Sequence, residues 1–262
     1  MRFVSRLVPA LAGFLALAAP AAAETVRLGV TAGPHAQIAE ALVPVAKAKG
    51  LDVKVIEFSD GALIDPATQD GSIDVNAFQH TPYLDQQNRD RKLDLVAVGG
   101  RTVLLPMAGY SKKVKSVADL PVGAQISIPA DPTNGGRALK LLETTGLVTL
   151  PEDSDFKATE LDIVANPKKV RILPMDTAQL PRSLEDVDFS VITSHFALAA
   201  GLVPKRDAVL IEGELSEYYC LIAVKRENAE KPWVKTLIEA YRSPEVKAFI
   251  EKTFDGNVVA GW

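Results

Sequence analysis

Cysteine and histidine are scarce in this sequence. It contains one cysteine, Cys220, and three histidines, at positions 35, 80 and 195. A single cysteine excludes an internal disulfide, and no two histidines have the short spacing that is typical of a local metal motif. We therefore predict no metal site and no cofactor. A site that the fold assembles from His35, His80 and His195 remains an alternative.

Basic residues do not outnumber acidic ones. The sequence has 29 Lys and Arg against 33 Asp and Glu, a formal net charge of −4, with no long run of one sign. Proteins that bind nucleic acid through its phosphates need a basic face. Nucleic acid is therefore not an expected partner.

Long apolar runs are missing outside the N-terminus. Residues 1–23 combine Arg2 and Arg6 with an apolar run and a series of small residues before Glu24, the pattern of a cleavable export signal. The run is shorter than the roughly 20 residues that a membrane-spanning helix needs. We predict a signal peptide over residues 1–23. Because the only cysteine is Cys220, we expect a protein without a lipid anchor, free in the periplasm.

Catalytic motifs are also missing. The sequence has no G-x-S-x-G elbow, no H-E-x-x-H motif and no glycine-rich phosphate loop. Cys220 lies in a predicted strand, where a small buried residue is the ordinary role of cysteine. We predict that the protein is not an enzyme and has no catalytic residues. An enzyme that uses Cys220 with His195 is the alternative.

The sequence does contain a repeated alternation of strand and helix patterns. "TVRLGVT" and "LDVKVIEF" read as strands on either side of "AQIAEALVPVAKAKG", in which apolar residues recur at helical spacing. The second half repeats the pattern with the strand "AQISIPA" and the helix "NGGRALKLLETTGL". Such alternation predicts the α/β class, with largely parallel sheets covered by helices. We expect two such units with a cleft between them.

The stretch "NAFQHTPYLD", residues 76–85, follows the strand-like "GSIDV" directly. In open α/β sheets, ligands lie beyond the carboxyl ends of the strands. The rings of Phe78 and Tyr83 and one nitrogen of His80 would suit the wall of a small-molecule pocket, which is mostly apolar with few polar groups. The alternative is that His80 is a half-buried structural residue and the two rings pack the first unit.

A second stretch, "IPADPTNGGRALKLL", joins a strand that ends at Pro129 to a helix that begins between residues 134 and 136. Free backbone N–H groups at a helix start attract an anion, and Arg137 can add a bidentate pair to a carboxylate. We therefore predict a carboxylate clamp here. The alternative is an ordinary capped helix with Arg137 on a solvated face.

Taken together, these stretches resemble the solute-binding proteins of methionine-type ABC importers, the MetQ/NlpA family. The resemblance extends over nearly the whole chain after the signal, through "DVNAFQHTPYLD", "ISIPADPTNGGRALKLLETTGL", "ANPKKVRILPMDTAQLPRSLEDVDFSVI" and "YRSPEVKAFI". It implies a two-lobed periplasmic-binding-protein fold of the type II kind. Lobe 1 would comprise residues 24–108 and 207–262, and lobe 2 residues 109–206.

The resemblance also implies roles for individual residues. Phe78, His80 and Tyr83 would line the pocket for the ligand's side chain, and Asn134 and Arg137 would hold its carboxylate. The expected ligand is an amino acid or a related carboxylate. The expected partner is a membrane permease with a cytoplasmic ATPase, and the protein itself is expected to be a monomer.

Three positions depart from the family pattern. Gly61 stands where the family has a pocket tyrosine, and Thr193 and Cys220 stand where it has asparagines that bind the ligand's ammonium group. Losing a buried hydrogen bond to a charged group costs about 1.5–3 kcal/mol, roughly ten- to a hundredfold in affinity. We therefore predict a repurposed pocket. Methionine is the family's default ligand, and a different carboxylate or a short peptide is the alternative.

Overall fold

The structure is a computed structural model that describes residues 24–213 and 218–262. The predicted signal peptide, residues 1–23, lies outside the described residues. Within the described part of the chain, no helix has both the length and the hydropathy needed to cross a membrane.

The described strands are short, and most lie in one of two five-stranded sheets. In chain order they are β1 (Glu24–Thr31), β2 (Leu51–Phe58), β3 (Val75–Asn76), β4 (Leu95–Val98), β5 (Val103–Leu104), β6 (Ala108–Tyr110), β7 (Gln125–Pro129), β8 (Arg171–Met175), β9 (Phe189–Ile192), β10 (Leu210–Ile211), β11 (Ile222–Lys225) and β12 (Val259–Ala260).

The α-helices cover both sheets, and short 3₁₀ turns join several of the elements. In chain order the helices are α1 (Pro34–Ala48), α2 (Ile64–Asp70), α3 (Thr81–Arg91), α4 (Pro132–Glu143), α5 (Leu180–Ser183), α6 (Ser194–Ala199), α7 (Pro204–Asp207), α8 (Pro232–Tyr241) and α9 (Pro244–Phe254).

The first sheet has the strand order β2-β1-β3-β11-β4. Strands β2, β1 and β3 are parallel, whereas β11 runs antiparallel to both β3 and β4. Since β11 comes from the C-terminal part of the chain, the chain returns to its first sheet after building the second. This sheet and its helices form lobe 1.

The second sheet has the strand order β10-β6-β9-β7-β8. Strand β7 is parallel to β8 and β9, and β6 is antiparallel to β9 and β10. The sheet and its helices form lobe 2. The predicted return to lobe 1 at residue 207 lies before the end of this sheet, because β10 is its edge strand.

The prediction of largely parallel sheets therefore holds for three strands in each lobe. The antiparallel strands β6 and β11 are the first strands that the chain forms after it crosses from one lobe to the other. Each runs antiparallel to the neighbouring strand that a local strand-helix unit built. The alternation of strand and helix patterns in the sequence indicates only those local units and not the strands that the chain adds after it crosses between lobes.

The helical spacing in α1 explains how lobe 1 covers its sheet. Its buried residues recur at intervals of three and four and include His35, Ile38, Leu42 and Ala46. Such a stripe packs one face of the helix against the sheet. Each lobe has its own large cluster of buried apolar side chains, one around β1 and the other around β7.

Candidate functional site

A cavity of about 300 Å³ lies between the two lobes, at the carboxyl ends of β1, β7 and β9. All eight residues predicted from the sequence line it. The structure thus brings together segments from both halves of the chain. The lining residues predicted beforehand are Gly61, Phe78, His80, Tyr83, Asn134, Arg137, Thr193 and Cys220.

His80 is the residue that precedes α3, and its ring has fixed hydrogen-bonding roles. The backbone N–H of Tyr83 donates to His80 Nδ1 at 3.2 Å, so a neutral ring carries its proton on Nε2. That Nε2–H donates to Asn134 Oδ1 at 3.2 Å, from lobe 1 to lobe 2. Burial, with the nearby Arg137 charge, lowers the pKa of His80 to about 3. His80 is therefore a neutral donor that bridges the cleft.

Aromatic rings form one wall of the cavity around His80. The ring centroids of Phe78 and Tyr83 are 5.9 Å apart, and those of His80 and Tyr83 are 6.2 Å apart, both in edge-to-face geometry. On its other side, His80 meets the ring of Tyr218 at 5.1 Å. The wall is apolar apart from a few fixed polar atoms, which suits a small organic side chain.

The N-terminus of α4 is capped by the side chain of the residue that precedes the helix. Asp131 precedes the helix, and its Oδ1 accepts the backbone N–H of Asn134 at 2.9 Å. The Asn134 side-chain amide donates to both oxygens of Asp131, at 3.1 Å each. This N–H was predicted to be free. Asp131 is one of the site residues that were not predicted, although an Asp before Pro-Thr-Asn is a recognisable N-cap.

Arg137 is buried and already paired. Its Nε donates to Glu212 Oε1 at 2.9 Å, and its Nη2 donates to Glu212 Oε2 and, at 3.2 Å, to the carbonyl of Leu105. The ring centroid of Tyr218 lies 4.2 Å from the guanidinium carbon. Neither the solvated arginine nor the unpaired clamp matches this geometry. The hydrogen bonds that Arg137 donates to described residues come from Nε and Nη2.

Glu212 is a further residue of the site that was not predicted from the sequence. Its carboxylate balances the charge of Arg137, and its side chain is only 15% exposed. Its backbone N–H donates to Met107 O at 2.9 Å, and its Oε2 accepts the N–H of Met107 at 3.2 Å. Glu212 thus links Arg137 to the two segments in which the chain passes between the lobes, one before β6 and one after β10. It lies 75 residues from Arg137 in sequence, and no local pattern indicated the pair.

Gly61 and Cys220 shape the wall near Phe78. A Cβ atom on Gly61 would lie 3.2 Å from Phe78 Cε2, which is tighter than an ordinary contact, and 3.5 Å from Thr31 Cγ2, so both side chains already pack against the glycine. Cys220 is buried, and its Sγ donates to the Phe78 carbonyl at 3.5 Å. Burial raises the pKa of the Cys220 thiol to about 12, so the sulfur is protonated and weakly nucleophilic.

Two histidines that were considered only for metal binding or catalysis also line the cavity. His35 and His195 approach from opposite lobes, with ring centroids 5.8 Å apart. Burial lowers the pKa of His35 to about 4 and that of His195 well below its usual value. The described residues contain no group of three or more His, Cys, Asp or Glu side chains placed to hold a metal ion. The position of each histidine after a strand's carboxyl end was the signal that could have revealed them.

A family model described as NlpA lipoprotein matches residues 26–262. The D-methionine-binding lipoprotein MetQ of Escherichia coli K12 is 44% identical over 240 residues, which are 90% of this chain and 88% of that protein. The probable D-methionine-binding lipoprotein MetQ of Vibrio cholerae is 46% identical over 238 residues, again 90% and 88%.

Solved structures agree with the sequence relatives. A nutrient-binding protein from Burkholderia cenocepacia bound to methionine matches with a TM-score of 0.88 and 46% identity, over 90% of this chain and all of that one. The methionine-binding protein MetQ matches with a TM-score of 0.88 and 44% identity, over 91% of this chain and 98% of that one. These similarities confirm the predicted two-lobed fold and the predicted resemblance.

The comparisons contradict the predicted localisation in one respect. We expected a periplasmic protein without a lipid anchor, because Cys220 is the only cysteine. The matching model is that of a lipoprotein, and the relatives are named as lipoproteins. The expectation of an unanchored protein is therefore wrong, since it rested on the position of one residue type alone. A location outside the cytoplasm is consistent with the comparisons.

Proposed function

Since the chain belongs to the NlpA lipoprotein family, we propose that it binds an amino acid with a methionine-like head group and delivers it, as a monomer, to the membrane permease of an ABC importer. The family consists of substrate-binding proteins of ABC transporters and not of enzymes. Ligand identity, delivery and the roles of single residues are the proposed part.

The observation that carries the proposal is the cavity between the lobes, which has a buried arginine at one side and an aromatic wall at another. Its volume of about 300 Å³ suits a small molecule. Relatives with 44–46% identity are named as D-methionine-binding lipoproteins, and a solved relative holds methionine.

We assign the ligand's carboxylate to the Nη1 edge of Arg137. Glu212 and Leu105 hold the other side of the guanidinium, and Tyr218 covers its face. A guanidinium whose orientation is fixed before binding loses little side-chain entropy when the ligand arrives. Asn134 is held by Asp131 and His80, so in this state it shapes the site beside the carboxylate.

The ligand's side chain is assigned to the wall of Phe78, His80 and Tyr83. Phe78 packs directly against Gly61, so a larger side chain at residue 61 would press on the Phe78 ring. Near the ammonium group, Thr193 offers a hydroxyl and Cys220 a protonated thiol that already bonds to the Phe78 carbonyl. A thiol is a weak hydrogen-bond partner. We infer that free methionine is held less tightly here than in a site with two amides.

Titration calorimetry on refolded, ligand-free protein tests the proposal. We expect binding of at least one L-amino acid with one-to-one stoichiometry. We expect no binding of the matching amine that lacks the carboxylate, because Arg137 Nη1 would have no acceptor on that ligand. Free L-methionine is expected to bind more weakly than submicromolar. Submicromolar binding of L-methionine would disprove the repurposed pocket, and a complete lack of amino-acid binding would disprove the proposed function.

A further inference from the structure

A buried cluster of polar side chains in lobe 1 includes one residue of the cavity wall. Asp65 and Thr68 lie in α2, and Asn76 and Gln79 lie in the stretch that leads to α3. None of the four residues is more than 3% exposed. Gln79 lines the cavity, whereas Asp65 is not among the lining residues. An effect of Asp65 on a ligand would therefore pass through other residues.

Asp65 is the central acceptor of this cluster. Its Oδ1 accepts hydrogen bonds from Gln79 Nε2 at 2.5 Å and from Asn76 Nδ2 at 3.1 Å. Gln79 Nε2 also donates to Asn76 Oδ1 at 3.0 Å, and Asn76 Nδ2 donates to Thr68 Oγ1 at 2.8 Å. These bonds tie α2 to the stretch before α3.

The cluster holds the same stretch of backbone that carries the aromatic wall. Phe78 lies between Asn76 and Gln79 in the sequence, and His80 follows Gln79 directly. Both Asn76 and Gln79 are bonded to Asp65. A change at Asp65 therefore acts on the backbone of two residues that we assign to the ligand's side chain.

Two oxygens of the cluster have no hydrogen-bond partner among the described residues. They are Asp65 Oδ2 and Gln79 Oε1, and both are buried. An ionised carboxyl and an amide oxygen only accept hydrogen bonds, so neither can satisfy the other. A protonated carboxyl can donate from its O–H to the oxygen of a carboxamide that already bonds to it. A proton on Asp65 would therefore give both oxygens a partner.

The surroundings of Asp65 do not balance a negative charge. Among the described residues, no Lys or Arg forms an ion pair with it. Arg91 and Tyr83, both in α3, interact with it through charge. Arg27 in β1 and Lys225 in β11, two strands that pack against α2, are each paired with another acidic residue. Strands β3 and β4 pack there too and carry no charged side chain.

Burial therefore favours the neutral form of this carboxyl. It raises the pKa of Asp65 to about 6, although the hydrogen bonds from Gln79 and Asn76 act in the opposite direction. A buried charge without a paired cation is unfavourable. The missing partners of the two oxygens and the missing cation point to the same protonation state.

We propose that Asp65 is a positioning residue of the ligand site, and that it works as a neutral carboxyl whose proton bonds to Gln79 Oε1 and fixes the stretch that carries Phe78 and His80. This inference rests on the proposed function, because the wall is assigned to an amino-acid side chain. Since the neutral form completes the cluster, ligand binding favours it. The contribution of Asp65 to affinity is present below about pH 6 and is lost as the pH rises through the pKa of its carboxyl.

Asparagine at residue 65 copies the neutral carboxyl at every pH. Its NH₂ group can donate to Gln79 Oε1, and its oxygen can accept from Asn76 and Gln79. With L-methionine as the probe, we expect Asp65→Asn to bind as tightly as the wild-type protein at pH 5 and about two- to tenfold more tightly at pH 8, as one neutral hydrogen bond allows. Calorimetry gives the affinity ratio of the two proteins at each pH. The cavity histidines are common to both proteins, so their titration cancels in the ratio.

Asp65→Ala removes the central acceptor. We expect about tenfold weaker binding of L-methionine at pH 5, and faster amide hydrogen exchange in residues 76–80 of the ligand-free protein, because α2 no longer holds this stretch. Asp65→Asn should restore both properties. Thr68→Val removes the hydroxyl that accepts from Asn76 and should also speed the exchange, so it carries the comparison if Asp65→Ala does not fold. Asp70→Ala, an exposed position in the same helix, is the matched control and should change neither property.

Each outcome supports or overturns one of the two proposals. Wild-type affinity in Asp65→Ala would overturn this inference, because Asp65 would then not position the wall. An affinity ratio between Asp65→Asn and the wild-type protein that stays the same from pH 8 to pH 5 would also overturn it, because the carboxyl would then not work through its proton. Binding of no amino acid by the wild-type protein would overturn the proposed function. Hydrogen exchange in residues 76–80 would still decide whether Asp65 holds this stretch.

Discussion

Arg137 has a structural role beside its proposed role in ligand binding. Its guanidinium belongs to a buried ion pair with Glu212, and the residue lines the cavity. Breaking a buried ion pair by removing one partner leaves an uncompensated charge. Substitution of Arg137 therefore changes the fold's stability as well as the site, which the sequence alone did not indicate.

We predict that Arg137→Ala abolishes amino-acid binding and lowers the free energy of unfolding by about 3 kcal/mol, because the Glu212 carboxylate loses its partner. Chemical denaturation measures the stability, and calorimetry measures the binding.

The double variant Arg137→Met, Glu212→Met separates the two effects. It removes both charges, so most of the lost stability should return while binding stays absent. Normal ligand affinity in this double variant would show that Arg137 holds no ligand group.

At the scale of the element, helix α4 carries both Asn134 and Arg137, so its position sets the geometry of the site. The helix approaches the segment around Phe156 so closely that a Cβ on Gly136 would lie 2.1 Å from the Phe156 carbonyl oxygen. The obstacle is backbone, which cannot rotate away as a flexible side chain would. Glycine at 136 therefore allows the close contact that positions α4.

We predict that Gly136→Ala lowers the free energy of unfolding by about 1–3 kcal/mol and weakens ligand binding, because α4 must shift to relieve the overlap. Thermal or chemical denaturation with calorimetry provides the measurement. Gly213→Ala is the matched control, since a Cβ there meets no atom of the described residues within 4 Å. Equal stability of the two variants would argue that the α4 contact does not constrain the helix.

On the scale of the whole molecule, the meeting of the two lobes buries three neutral histidines. His35 and His80 come from lobe 1 and His195 from lobe 2, and burial lowers the pKa of each. Between pH 6.5 and about 4, the unfolded chain binds protons that the folded protein does not. The contribution of the neutral histidines to the free energy of unfolding is therefore fully present above pH 6.5, and it falls as the pH drops through that range.

One carboxyl acts in the opposite direction. Burial raises the pKa of Asp65 from 3.8 to about 6, so between these values the folded protein binds the extra proton and gains stability as the pH falls. The three histidines outweigh this single group. Each contributes up to about 1.4 kcal/mol per pH unit.

We predict that the ligand-free protein loses several kcal/mol of unfolding free energy between pH 7 and pH 4.5, measured by denaturant titration at each pH. His35→Gln should reduce the number of protons taken up on unfolding in this range by about one. The free energy of unfolding should then fall less steeply as the pH is lowered. A stability that does not change between pH 7 and pH 5 would mean that the histidines are not buried in the ligand-free protein.

The sequence by itself determined the features that depend on residues close together in the chain. The alternation of strand and helix predicted the α/β class, and the position of "NAFQHTPYLD" after a strand predicted that Phe78, His80 and Tyr83 line a cleft, which the structure shows for all three. These features follow from local periodicity and from the rule that ligands lie at strand carboxyl ends.

Only the tertiary structure decided which groups pair across the chain. Arg137 meets Glu212 at a separation of 75 residues, and the ring of His35 meets that of His195 across the two lobes. No spacing in the sequence indicates such contacts, because they depend on how the segments between the two sheets position one lobe against the other.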